Sequence, residues 1–306
     1  MQTPTPRGER REFLRTGAAV AFGGMAGVTG LSAAAGVDQP RRRPNGNGNG
    51  RNGGNGGRLR HSVCRWAFNR LTLEELCAAC VELGIESIEL LDPDEWPIVA
   101  AHGLTCAVAN GPTQIGRGLN RVEDHDRFVR ASDDLIPRVA AANIPMMIVF
   151  SGNRGEMNDV DGLKNCADAL KRMVPAAEAA GVTIVMELLN SRIDHRDYQC
   201  DRTAWGVELV NEVASPRFRL LYDIYHMQIM EGDVTRTLID NLEAIAHLHT
   251  GGVPGRREID HTQELNYRFI CESIADAGYR GFVGQEFIPG RNPIASLREA
   301  IEICTV

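Results

Sequence analysis

The stretch Gly181-Val182-Thr183-Ile184-Val185-Met186-Glu187 decides the fold. Its short apolar run, rich in β-branched residues, reads as a buried strand. It follows a helix-period segment over about 162–180, which Gly181 closes as a left-handed C-cap. The same unit recurs in both directions. Strands are expected near 62–66, 87–91, 105–109, 146–150, 183–187, 220–223, 246–249 and 282–286. Between them, Thr72 and Glu75 form a capping box ahead of a Leu76, Cys80, Leu83 stripe, and Gly278 closes a helix over 265–277. Strands alternating with helices signal parallel βα units, and eight of them predict an α/β fold, a (β/α)8 TIM barrel.

The barrel is expected over 60–306 as a single domain. Ahead of it, Arg10-Arg11-Glu12-Phe13-Leu14 is a twin-arginine pattern. It is followed by an apolar Ala/Gly/Val stretch and by Ala33-Ala34-Ala35, a small-residue cleavage signal. Residues 1–35 therefore read as a signal peptide for the twin-arginine pathway, with a periplasmic or extracellular destination. The stretch is too short and Gly-rich for a stable membrane span. Residues 36–59 are dominated by Gly, Asn and Arg, which bury little and lose much backbone entropy on ordering, and are expected to be a disordered linker.

A composition of 43% hydrophobic and 24% charged residues in a 306-residue chain fits a globular protein. A net charge of −7 with a pI near 5.7 excludes a general nucleic-acid binder, since phosphate-backbone affinity rests on clustered Lys and Arg. The eight cysteines are scattered through expected strands and helices without a disulfide framework, so buried free thiols are expected, the Cys77/Cys80 pair included. The oligomeric state, monomer or homo-oligomer, is open at this level.

Polar residues interrupt the strand runs at chosen places. Glu187 ends the fifth run, Asp223 the sixth, His249 the seventh and Glu286 the eighth. In a barrel these C-terminal strand ends converge on one mouth, where three carboxylates could not all stay ionised without a cation. Hard oxygens with one imidazole suit one divalent ion, Mn2+, Mg2+ or Co2+, with open positions for substrate. Glu89, Asn110, Ser151 and Asn153 end earlier strands and are candidate substrate contacts. His247 shares the inward parity of His249 one layer deeper, where a core histidine is expected.

Several segments carry a resemblance: Val185-Met186-Glu187, Leu221-Tyr222-Asp223-Ile224-Tyr225-His226-Met227-Gln228, His247-Leu248-His249 with Pro254-Gly255-Arg256, Glu264-Leu265-Asn266-Tyr267, and 278–286. Together they resemble the hydroxypyruvate isomerase group of the xylose-isomerase-like barrels, which also include ketose 3-epimerases and type IV endonuclease relatives. The resemblance implies Glu187, Asp223, His249 and Glu286 as metal ligands and His226 and Arg256 as substrate contacts; for enediol chemistry Glu187 and Glu286 are expected to face the substrate from opposite sides as base and acid, in either order. Hydroxypyruvate isomerases often carry Gln where this chain has His249, and 3-epimerases carry His.

The expected function is metal-dependent isomerisation of a small hydroxy-keto acid or sugar through an enediolate. The alternatives are a ketose 3-epimerase, a lyase or hydratase acting on an oxidised sugar, and a non-catalytic sugar-binding barrel. An endonuclease would require several metals and a basic groove, which the acidic balance does not favour.

Overall fold

Eight apolar runs pair in parallel as β1 (Arg60–Cys64), β2 (Ser87–Glu89), β3 (Val108–Ala109), β4 (Met146–Val149), β5 (Thr183–Leu188), β6 (Phe218–Asp223), β7 (Ile245–Thr250) and β8 (Phe282–Gln285). The sheet order is β2-β1-β8-β7-β6-β5-β4-β3. Parallel bridges Ser87↔Thr105 and Leu91↔Ala109 join β2 to the β3 side, so the strands form a nearly closed (β/α)8 barrel. This is a computed structural model, and it describes residues 57–306. The expected signal peptide and all but the last three linker residues lie outside the described residues. Those three join the barrel: Leu59 is buried, and the Arg58 amide donates to Val306 O at 2.9 Å.

The connecting helices are α1 (Leu73–Leu83), α2 (Trp96–Ala101), α3 (His125–Ala141), α4 (Asp159–Ala180), α5 (Thr203–Val213), α6 (Ile224–Met230), α7 (Val234–Asp240), α8 (Tyr267–Asp276) and α9 (Pro293–Cys304). Local chemistry sets their ends. Thr72 and Glu75 cap α1 reciprocally, Asn158 caps α4, and Gly181 ends α4 at φ 74°. Among the described residues no helix is long and apolar enough to cross a membrane. All eight cysteines are buried free thiols.

Strand alternation divides the core. One face of each strand packs outward against the helices, while Met146, Ile148, Val185, Leu221 and Phe282 fill the barrel axis. Glu187, Leu189, Asp223 and His249 share parity with this inward set, which is what turns them toward the mouth, and His247 shares it one layer deeper.

His61 on β1 faces outward, with Nε2 3.1 Å from Thr305 Oγ1. Burial, opposed in part by Glu86, lowers its pKa to about 4. The folded value lies below the ordinary one, so the neutral ring's contribution is complete above about pH 6.5 and is lost as pH falls toward 4. Wild type should lose about 3 kcal/mol more stability over that window than His61→Gln. Urea unfolding of both proteins at pH 7 and pH 4 checks this.

Candidate active site

Asp223 is set by its helix. It closes β6 and caps α6, so Oδ1 accepts the Tyr225 amide at 2.8 Å and the His226 amide at 3.3 Å. Its other oxygen is left facing the barrel axis. Register then places His249 of β7 beside Asp223, and Gly284 of β8 beside His249. Glu187 arrives from β5, and Glu286 directly follows β8. One donor atom from each of Glu187, Asp223, His249 and Glu286 lies within 4.8 Å of all the others, and all four residues are buried. The structure thus brings together the four residues read from the strand ends.

Their electrostatics are those of a crowded anionic site. Burial and then Glu286 push the Glu187 carboxyl up. Burial raises Asp223 well above the usual range, with Arg256 opposing and the two glutamates adding. For Glu286 burial is outweighed by Arg256 and His249, which hold it well below the usual range. Arg256 Nη2 lies 3.0 Å from Asp223 Oδ2 and also bonds Glu286, with its guanidinium between the Trp66 and Tyr225 rings at 5.1 and 5.2 Å. Burial opposes the charging of His249, yet Cys64, Glu286 and the Glu187 hydrogen bond raise its pKa well above 6.5.

His249 has a carboxylate at each nitrogen. Nδ1 faces Glu286 at 2.9 Å and Glu187 at 3.2 Å, and Nε2 faces Glu89 at 2.7 Å. With Nε2–H donating to Glu89, Nδ1 can offer its lone pair to a cation among the carboxylates, the arrangement that orients metal-binding imidazoles elsewhere. The donor set, hard oxygens and one nitrogen, suits a divalent ion.

Glu89, read from the sequence as a candidate substrate contact, is fully buried and does not line the cavity. Its Oε1 meets His247 Nε2 at 2.8 Å as well as His249. Burial disfavours its charge, but the two rings hold its pKa far below the usual carboxylate range. Gly284 makes this possible, because a Cβ there would lie 2.5 Å from Glu89 Oε1 and 2.9 Å from His249 Cδ2. His247 takes the deeper core position expected of it.

Asn110 does line the cavity at the mouth, though its Nδ2 is spent on Leu90 O and Asp92 Oδ1 at 3.2 and 2.9 Å. Ser151 is fully buried and accepts the Cys200 amide at 3.0 Å, and Asn153 braces the neighbouring loop through its backbone carbonyl. Neither lines the cavity. His226 is fully buried: its Nδ1 lies 2.6 Å from Asn190 Nδ2, and its Nε2 lies 3.4 Å from Asp223 Oδ2. Arg256 lines the cavity while bridging two of the carboxylates. Among the lining residues that had gone unread, two carry ring N–H groups, Trp66 and His195. Trp66, in the turn after β1, donates to Glu286 Oε1 at 2.7 Å, and strand parity with Cys64 could have found it. His195 lies edge-on to His226 at 5.2 Å in an irregular loop that carries no periodic signal. The cavity measures about 370 Å³.

Comparison with known proteins agrees with this geometry. The family model described as xylose isomerase-like TIM barrel matches residues 77–305. A 2-oxo-tetronate isomerase of Cupriavidus necator is 36% identical over 142 residues, 45% of this chain and 54% of that protein, so the match spans about half of that relative. A human protein provisionally named hydroxypyruvate isomerase is 33% identical over 250 residues, 76% of this chain and 90% of its own length. Among solved structures, a family 2 AP endonuclease from Brucella melitensis superposes with a TM-score of 0.71 at 25% identity, covering 78% of this chain and 97% of that one.

Removing Glu89 tests the buried layer. Glu89→Ala leaves two buried ring nitrogens unanswered and should cost about 3–5 kcal/mol of unfolding free energy, whereas Glu89→Gln retains an acceptor and should cost clearly less. Chemical denaturation of the three proteins is the measurement.

Proposed function

Because this chain belongs to the xylose isomerase-like TIM barrel family, we propose that it is a metal-dependent isomerase of a small hydroxy-carbonyl compound, a 3-hydroxy-2-oxo acid of the hydroxypyruvate or 2-oxo-tetronate kind. The observation that carries this reading is the convergence of Glu187, Asp223, His249 and Glu286 within 4.8 Å on the floor of a cavity of small-molecule size. A divalent ion held by those four side chains, Mn2+, Mg2+ or Co2+, would supply the positive charge that the paired oxygens of an enediolate require.

The chain's own groups divide the remaining work. Glu187 and Glu286 both line the cavity, so one can take the proton from the hydroxyl-bearing carbon while the other, itself protonated, delivers a different proton to the former carbonyl carbon, the hydroxyl proton passing to the former carbonyl oxygen. Asn190 fixes the role of His226. Its Oδ1 accepts the Ile193 and Asp194 amides, each at 3.0 Å, so its Nδ2 donates to His226 Nδ1. Burial and Arg256 hold the ring's pKa well below 6.5, leaving it neutral with its proton on Nε2. That free N–H is a donor for a substrate oxygen. Arg256 can polarise a second oxygen or meet a carboxylate.

Two further readings remain beside this one. His249, an imidazole where hydroxypyruvate isomerases often have Gln, favours 3-epimerisation of a ketose by the same two glutamates; a lyase acting on an oxidised sugar would begin with the same proton removal. The reading leaves aside endonuclease action, named for the Brucella structure: among the described residues Arg256 is the one Arg or Lys lining the cavity, and the chain carries a net charge of −7. Export by the twin-arginine pathway, proposed from Arg10 and Arg11, would place the enzyme outside the cytoplasm.

Manganese-loaded protein incubated in deuterated water with hydroxypyruvate, 2-oxo-tetronate and a ketose panel should incorporate deuterium at the reacting carbon of one class. The product separates isomerase from epimerase from lyase. Absence of exchange with every compound overturns the proposal. Glu187→Gln or Glu286→Gln should lower kcat by about 10²–10⁴-fold. Removing metal by chelation and restoring Mn2+ at about one hundred times its Kd should raise the unfolding free energy by ~2.7 kcal/mol, read by urea titration.

A further inference from the structure

The charged side chains of the cavity wall, Glu187, Arg256 and Glu286, come from β5 and beyond, as does the apolar Leu189, whereas the opposite arc, from β2 to β4, presents Leu90, Ile115, Ile148 and Phe150 and, among the described residues, no charged group. Asn110, the polar side chain on that arc, has both donations of its Nδ2 satisfied by protein, which leaves it one amide oxygen to offer. A polyhydroxylated tail lying there would bury hydroxyls without partners, each weakening binding by roughly five- to hundredfold.

This apolar arc is built into the fold. Leu90 has φ 59°, a left-handed conformation that a branched side chain rarely adopts and that surrounding structure must hold. Its amide donates to Val108 O at 2.8 Å and its carbonyl accepts from Asn110, while its side chain packs on the cluster containing Ile148. Phe150 is pinned on both sides: its amide donates to Thr113 Oγ1 at 2.7 Å and its carbonyl accepts the Leu119 amide at 3.0 Å. A three-carbon acid gathered around Glu187 and Glu286 would leave this arc untouched. The cavity's size of about 370 Å³ belongs with pockets that enclose considerably larger ligands.

We propose that the substrate bears an apolar substituent, alkyl or aryl, on the carbon beyond the reacting pair, and that Leu90, Ile115, Ile148 and Phe150 form its subsite. The inference rests on the reading that chemistry occurs at Glu187 and Glu286, and its test separates the two. The affinity of manganese-loaded protein for unreactive 2-oxo acids with side chains of increasing length, ethyl to pentyl and benzyl, is measured by calorimetry. A hydroxyl-terminated analogue of matched length serves as the comparison. The corresponding 3-hydroxy-2-oxo acids are assayed for deuterium exchange in parallel.

Affinity should rise about fourfold per added CH2 until the subsite fills, equivalent to ~0.8 kcal/mol each, with the hydroxyl-terminated analogue weaker than its alkyl counterpart. In Ile115→Asn, a change at a partly exposed wall position, that gradient should shrink. Equal or tighter binding of the hydroxylated analogue, a flat series, or no binding overturns the proposal. Exchange with hydroxypyruvate and a flat series would keep the isomerase reading and remove the apolar subsite. A rising series without exchange would keep the subsite and remove the isomerase.

Discussion

Three carboxylates packed within 4.8 Å of one another and of an imidazole demand positive charge, and the barrel mouth is organised around that demand. Two of them have one oxygen anchored by neutral donors: Asp223 by the first amides of α6, Glu286 by the Trp66 indole. The second oxygen of each is thereby turned inward, where Arg256 reaches both. Anchoring half of each carboxylate fixes orientation without neutralising charge, and this leaves the inner oxygens as ligands for a cation.

Support for this cluster extends inward through His249. Glu89 sits beneath the ring and binds its Nε2, so the side of the ring facing the carboxylates is decided one layer below them. The same glutamate ties down His247, and Gly284 clears the space that lets Glu89 lie against His249. On the other side Asn190 orders His226 in the same manner, spending its oxygen on backbone amides and its nitrogen on the ring. In both cases a buried polar side chain chooses which nitrogen of a histidine is turned toward the carboxylates. Such choices must be made before substrate arrives if the site is not to reorganise during reaction.

Strand ends were legible because inward residues recur with period two and each run stops on a polar side chain. Glu187, Asp223, His249 and Glu286 could therefore be placed on one mouth before any coordinates. Periodicity cannot say how deep an inward residue lies. Glu89 and Glu187 look alike in sequence, each ending an apolar run, yet Glu187 lines the cavity while Glu89 is fully buried against His247 and His249. His195 escaped for a different reason: it comes from a loop whose position is set by contacts such as Tyr198 with the Glu187 carbonyl, not by any repeat. Trp66 lay between these cases, carrying the parity of β1 into a 3-10 turn at Arg65–Phe68.

The barrel also explains how one mouth can hold two unlike surfaces. The sheet order sets β2, β3 and β4 on one arc and β6, β7 and β8 on the other, with β5 between them. Each strand delivers its terminal side chains independently of the rest, because a parallel ladder constrains backbone register and not side-chain identity. The charged arc is bound by mutual requirements: altering one of Glu187, Asp223, His249 or Glu286 leaves the others with charge unanswered. Leu90, Ile148 and Phe150 meet no such condition and are held only by packing and by backbone hydrogen bonds that another apolar side chain could equally accept. The charged cluster and the apolar arc thus answer to different physical constraints, and side chains of the arc can be exchanged without disturbing the balance of charge among the carboxylates.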